Sequence, residues 1–253
     1  MIILRRLGVL TLIIILSITV LLLGPAYYLM SGRAPMEGDW STATRQSAAI
    51  APEAGKTPEA IVQIYAARAF RWRGAFAVHS WIAIKPPNAP HYTTFEVVRW
   101  HIENGNGAIR VHEGDPDRYW YGAKPALLAD IRGTKAENAI NKIMKAIEHY
   151  PYKGAYRTWP GPNSNTFTAH ILRQVPELKV DLPSTAIGKD FLGNTKVFAR
   201  APSRTGFQFS LYGVFGILVA LEEGIEINLA GLSAGIDLGD LALRLPGFGA
   251  IKP

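Results

Sequence analysis

The sequence predicts an α+β fold: an antiparallel sheet with packed helices, preceded by one N-terminal transmembrane helix and followed by a glycine-rich β segment. Three observations predict it. Leu7 to Gly32 contains no charged residue. Alternating apolar segments between residues 76 and 112 are punctuated by Pro and Gly turns, and two helical-period segments follow them. From Val197 onward, short alternating strands are separated by glycine. Hydrophobic residues make up 48% and charged residues 19% of the chain, which is globular composition. The expected units are an anchor over 1–32, a flexible tether over 33–56, an α+β core domain over 57–196, and a C-terminal β-rich segment over 197–253 packed on the core.

Leu7 to Met30 would span roughly 36 Å as a helix, enough for a hydrocarbon core of about 30 Å. Tyr27 and Tyr28 sit where an interfacial aromatic belt belongs, and Arg5 and Arg6 precede the span. That charge bias puts the N-terminus in the cytoplasm and the bulk of the chain outside. A cleaved signal peptide is the alternative, with Gly24 and Ala26 as a small-x-small site. The apolar run exceeds a usual signal peptide and favours an uncleaved anchor. Both readings export the domain.

Gly32 to Lys56 is rich in Ala, Ser, Thr, Gly and Pro and reads as a tether. Thr57-Pro58-Glu59 predicts a helix to about Ala69. Phe76 to Lys85 and Tyr92 to Ile102 predict two strands, with the loop Pro86-Pro87-Asn88-Ala89-Pro90 between them. Asn104-Gly105-Asn106-Gly107 is a turn signal, Ala108 to His112 a returning strand, and Leu127 to Ile131 a fourth. Thr134 to Glu137 fits a capping box opening a helix to about His149. An aromatic loop over 150–162 precedes a helix from near Asn163 to before Pro176. Thr205 to Leu221 is uncharged, but its Gly and polar residues predict a hairpin rather than a second span. Asp181, Lys189 and Asp190 lie in a polar stretch near a predicted turn and read by default as a solvated loop, with the lining of a cleft as the alternative.

Composition narrows function. The chain has 27 Lys and Arg against 20 Asp and Glu, a net charge of +7. Arg5 and Arg6 supply two of those charges, and no basic stripe stands out, so no nucleic acid partner is expected. There is no cysteine, which excludes disulfides, thiolate nucleophiles and thiolate metal sites. No histidine pair has metal-ligand spacing, and neither metal nor cofactor is expected.

Gly161-Pro162-Asn163-Ser164-Asn165-Thr166-Phe167 delivers a hydroxyl residue to the first turn of a helix. Free backbone N–H groups there favour an attacking Ser164 and an oxyanion held near Asn163 and Asn165. His79, in a strand with Trp81, is the candidate base, with Glu96 or His91 to orient it. Tyr156 and Trp159 are candidate cleft walls. Each residue also has a structural reading: Asn and Ser are preferred helix caps, and a strand histidine can simply be hydrogen-bonded.

The order strand-histidine, strand-polar residue, helix-start nucleophile resembles the circularly permuted papain-like fold, which includes lecithin-retinol acyltransferase-like proteins and bacterial cell-wall amidases. Their Asn-Cys-x-x-Phe motif is matched by Asn163-Ser164-Asn165-Thr166-Phe167, with serine in place of cysteine. A serine there is a variant nucleophile or the mark of a retired site. More broadly, Thr57 to Pro86, Tyr150 to His170 and Asp181 to Lys189 resemble an uncharacterised family of bacterial membrane-anchored proteins. The resemblance implies a single-pass inner-membrane protein with its domain in the periplasm. That family brings no assigned activity; it is the papain-like resemblance that implies a hydrolase or acyltransferase acting on an amide or ester acyl bond, in a lipid or a peptidoglycan stem peptide. The alternative is a non-catalytic envelope binding or scaffold module with a degenerate papain-like cleft.

Overall fold

Antiparallel pairing organises the chain into two sheets. The computed structural model describes residues 2–34 and 36–252. In the first sheet, β1 (Ile61–Arg68) lies between β2 (Val78–Lys85) and β5 (Ala126–Arg132). β3 (Tyr92–Val97) and β4 (Ile109–Gly114) complete the order β4-β3-β2-β1-β5. A short helix, α2 (Arg99–Glu103), joins β3 to β4. Two longer helices cover one face: α3 (Gly133–Glu148) lies on β1 and β5, and α4 (Ser164–Gln174) on β2 and β3.

Strand periodicity divides the core. Val62, Ile64, Ala66, Ile82 and Ile84 point toward α3 and α4. Ile61, Tyr65, Ala67, Trp81 and Ala83 point to the opposite face. β1 is therefore buried on both sides, and here the structure corrects the expected helix over 57–69. Thr57-Pro58-Glu59 carries local helix-start signals, but Ile61-Val62-Gln63-Ile64-Tyr65 is the continuous, β-branched run of a central strand. The strand expected over Tyr92 to Ile102 ends at Val97, and Arg99 begins α2.

The expected tether is only partly free. Ser47 bridges to Arg118, and the Ile50 and Ala51 amides donate to Asp117 at 2.5 and 3.0 Å. Tyr92 also donates to the Pro52 carbonyl at 3.0 Å. Residues 47–52 thus strap the second face of the sheet.

α3 starts one residue before its expected cap. The Gly133 amide donates to the Ala60 carbonyl at 2.8 Å, leading β5 straight into the helix, and no side-chain cap bond forms. α4 is capped by Asn163, whose Oδ1 accepts from the Asn165 and Thr166 amides, while Thr166 Oγ1 accepts from the Asn163 amide.

The second sheet is a seven-stranded meander in chain order: β6 (Phe198–Arg200), β7 (Gly206–Leu211), β8 (Phe215–Ala220), β9 (Gly224–Leu229), β10 (Leu232–Asp237), β11 (Ala242–Leu245) and β12 (Gly249–Ile251). The uncharged run Thr205 to Leu221 forms the β7–β8 hairpin. Asp181, Lys189 and Asp190 are not a solvated loop. Lys189 and Asp190 are buried, and Lys189 Nζ donates to Glu226 at 2.7 Å.

α1 (Ile2–Met30) contains the expected membrane segment. Within that segment the side chains of Leu10, Ile13 and Ile14 lie outside the described residues. Among the described residues, no helix is long and apolar enough to cross a membrane. The C-terminal part of α1 rests on the domain: Tyr27 packs against Phe248 with ring centroids 5.5 Å apart, and the Arg68 guanidinium lies 4.5 Å from the Tyr28 ring centroid.

Core and outward positions should respond differently to truncation. Ile82→Ala should cost about 3 kcal/mol through the cavity it leaves. Ile225→Ala on the exposed face of β9 should change stability by less than about 0.5 kcal/mol. Urea denaturation of the full chain, followed by circular dichroism, checks both.

Candidate functional site

Glu96 is the centre of the polar cluster on the face opposite the helices. Its carboxylate is almost fully buried on β3. Oε2 meets His79 Nε2 at 2.7 Å. Oε1 accepts from Arg110 at 2.7 Å and also from Arg118. Sheet register explains two of these partners. Glu96 lies directly across from Arg110 on β4, and His79 shares its face with Trp81 on β2. The third, Arg118, comes from the loop after β4. That loop is pinned by Asp117, which accepts from Ser47 Oγ and from the Ile50 and Ala51 amides.

Burial alone would push the Glu96 carboxyl up, but the His79 hydrogen bond and the Arg118 and Arg110 charges outweigh it and hold the group at about 2. Burial pushes the His79 imidazole down, against the pull of Glu96, and the two guanidiniums push the same way as burial. Neutral His79 therefore donates Nε2–H to ionised Glu96. His112 lies across from Thr94, near the same cluster, and is lowered to about 4 by burial and by Arg118 and Arg110. One carboxylate thus faces two guanidiniums, and the cluster is net positive.

Above this cluster opens a cleft of about 580 Å³. Trp120 forms part of its wall and stacks on His79, with centroids 3.6 Å apart and planes 4° from parallel. Trp40, Trp100 and Tyr121 add aromatic surface, and Arg45, Arg110 and Arg118 add charge. Arg110 lies 5.2 Å from the Trp100 ring centroid, and Arg45 4.5 Å from that of Tyr121.

The other expected site residues are distributed differently. α4 packs on the face of β2 that Ser80 presents: Ser80 Oγ donates to Asn165 Oδ1 at 2.9 Å, and Asn165 Nδ2 donates to the Val78 carbonyl at 2.9 Å. His79 projects from the other face. No hydrogen bond joins Ser164 to His79 among the described residues; His79 is held by Glu96 instead. Asn163 and Asn165 spend their amides on the cap and on the Thr158, Val78 and Ile187 carbonyls. His91 lines a separate groove with Tyr92 and Asp115. Trp81 is buried and donates to the Pro116 carbonyl at 2.7 Å. Tyr156 packs on the helix-side core, and Trp159 lies against Gly231 of the second sheet. The structure therefore joins His79 to Glu96, with Trp81 alongside, and leaves the rest elsewhere.

Arg110, Arg118 and Trp120 escaped the sequence reading. Hairpin register about the Asn104–Gly107 turn alone would have put Arg110 opposite His101; α2 lengthens the connection and shifts the pairing so that Arg110 meets Glu96. The run Arg118-Tyr119-Trp120-Tyr121 was an available signal for a guanidinium-aromatic surface. Among the described residues, no His, Asp and Glu cluster could hold a metal ion.

Two outcomes follow from this electrostatic arrangement. The folded pKa values of His79 and His112 are depressed, so their contribution to stability is complete above about pH 6.5 and declines as pH falls toward the folded values. The depressed Glu96 adds a second decline between about pH 4.5 and 2. Urea midpoints should therefore be flat above pH 7 and fall below 6.5, less steeply in His112→Gln. Asp117→Ala should cost about 2 kcal/mol by removing charged hydrogen bonds from the strap. It should also expose Trp120, read as a red shift in tryptophan emission.

Residues 59–191 match a family described as a protein of unknown function, DUF3750. The match spans the first sheet, α3, α4 and the segment through Asp190 and Phe191, and so contains the Glu96 cluster. No curated protein and no solved structure matches the chain. The match takes in more than half of the 253 residues, and the chain belongs to the DUF3750 family.

Proposed function

We propose that this chain is a membrane-anchored envelope protein whose folded domain binds an anionic, ring-bearing ligand in the Trp120 cleft without turning it over. The observation that carries the reading is the pairing of indole and phenol surface with a net-positive cluster over a cleft of about 580 Å³. Flat aromatic faces stack rings, and guanidiniums bind phosphate or carboxylate in bidentate fashion. Lipid headgroups and peptidoglycan saccharides both offer that combination.

Anchoring is supported by α1, whose 29 residues would span about 43 Å as a helix. Leu12, Leu16 and Leu23 are exposed on it. Arg5 and Arg6 favour a cytoplasmic N-terminus and a periplasmic domain across the bacterial inner membrane. The packing of Gly24, which cleavage after Ala26 would remove, against the Pro246 carbonyl and Phe248 favours an uncleaved anchor.

Acyl hydrolysis or transfer through Ser164 and His79 is the second reading. One observation favours it: Glu96 holds His79 Nε2, as an orienting carboxylate would, and Nδ1 has no hydrogen-bond partner among the described residues. Against it stands the missing contact between the imidazole and Ser164.

Tryptophan fluorescence titrations with N-acetylglucosamine 1-phosphate and with neutral N-acetylglucosamine test the binding reading. The phosphorylated sugar should bind and the neutral one should not. Arg45→Gln should weaken binding about tenfold, and high salt should weaken it further. Equal binding of both sugars would contradict an anion site. A fluorophosphonate probe should leave Ser164 unlabelled; labelling that disappears in Ser164→Ala would favour the enzyme.

A further inference from the structure

The second sheet is turned inside out relative to an ordinary half-buried sheet. Phe207, Val219, Ile225, Ile227, Ile236 and Leu243 point outward and are 46–70% exposed. The alternate positions Gln208, Ser210, Glu226, Asn228, Ser233 and Arg244 are buried. A water-facing antiparallel sheet shows the reverse order.

This orientation is fixed by the inward polar groups. Lys189 donates to Glu226 at 2.7 Å, Asn228 to Asp190 at 2.7 Å, and Arg173 to Gln208 at 2.8 Å. Arg244 pairs with Asp237 at 2.5 Å and also with Asp181. A one-residue slip would break these pairs and bury the apolar set instead. The apolar face is therefore built into the register, and it exceeds the scattered apolar exposure of an ordinary surface.

Charge is segregated along the strands. At one end, the turns Tyr212–Val214, Ala230–Gly231 and Pro246–Phe248 carry no charge. At the other lie Arg204, Glu222, Glu223, Asp240 and Lys252. The uncharged end is the one that α1 touches. Gly24 packs against the Pro246 carbonyl and Phe248 so closely that a side chain there would collide, and Tyr27 stacks on Phe248. The apolar surface of α1 thus runs into the apolar end of the sheet. Along the β6 edge, Lys196, Arg200 and Arg204 are exposed cations suited to anionic headgroups.

We propose that the outward face of the second sheet is a second membrane-contact surface, lying in the interfacial zone of the bilayer that α1 enters. The proposal rests on the reading of α1 as a membrane helix. The sheet lies on the bilayer rather than crossing it: β6 and β12 are open edges, whose unpaired backbone groups need water or headgroups.

The absence of cysteine makes the test direct. The full chain is reconstituted in phosphatidylcholine–phosphatidylglycerol vesicles with a single NBD-labelled cysteine at Ile227→Cys, Val219→Cys, Leu16→Cys or Lys142→Cys. Acyl-chain nitroxide lipid should quench the labels at 227 and 219 several-fold more than the label at 142, with blue-shifted emission. Quenching at 16 but not at 227 or 219 would overturn the proposal and leave the anchor standing. Quenching at 227 and 219 but not at 16 would support the sheet contact and sink the anchor. Labels at 227 and 219 that are blue-shifted yet unquenched would assign the face to a second copy of the chain and overturn the proposal.

Discussion

Glu96 is ionised in a place from which water is nearly excluded, and the geometry of the candidate site is arranged around that charge. A buried carboxylate is tolerated only if its desolvation is offset by close donors. His79, Arg110 and Arg118 supply them from β2, β4 and the loop beyond β4. Because the donors come from three elements, one carboxylate fixes the hairpin register, the Trp120 loop and the orientation of the imidazole together. Two guanidiniums against one carboxylate also leave the cleft with surplus positive charge. Structural need and the proposed preference for an anionic ligand thus share one origin.

The same logic governs the join between the two sheets. Lys189 and Asp190 are buried and Arg173 is half-buried beneath the second sheet, and its inward polar side chains pair with them. Their pairing sets which face of that sheet turns in. An apolar face is left outside as the consequence, contiguous with the helix that precedes the domain. The family match stops at Phe191, just after Lys189 and Asp190.

Much of the architecture was legible because it is local. The Pro86–Pro90 loop, the Asn104–Gly107 turn and the period of residues 134–149 each announce an element within a few residues. Alternation also brought out His79 with Trp81, and Glu96 on the next strand. What escaped depends on distant partners. Thr57-Pro58-Glu59 looks like a helix start until burial on both sides makes Ile61–Arg68 a central strand. The place of Trp120 is fixed by Asp117 and a strap some 66–70 residues earlier in the chain, which no local pattern reveals. Alternation in the second sheet shows that two faces exist, but only the buried partners decide which one faces solvent. Asn163-Ser164-Asn165 suits a nucleophile and a cap equally well in sequence. In the structure Asn163 acts as the cap, and Asn165 ties α4 to β2.

The central claim is that His79 serves the buried carboxylate and not the serine. Nitrogen-detected NMR of the His79 imidazole measures this directly. The account predicts a neutral ring protonated on Nε2, with no titration near pH 6.5 and resonances unchanged in Ser164→Ala. A ring that titrates near 6.5, or whose Nδ1 resonance moves when the Ser164 hydroxyl is removed, would contradict it.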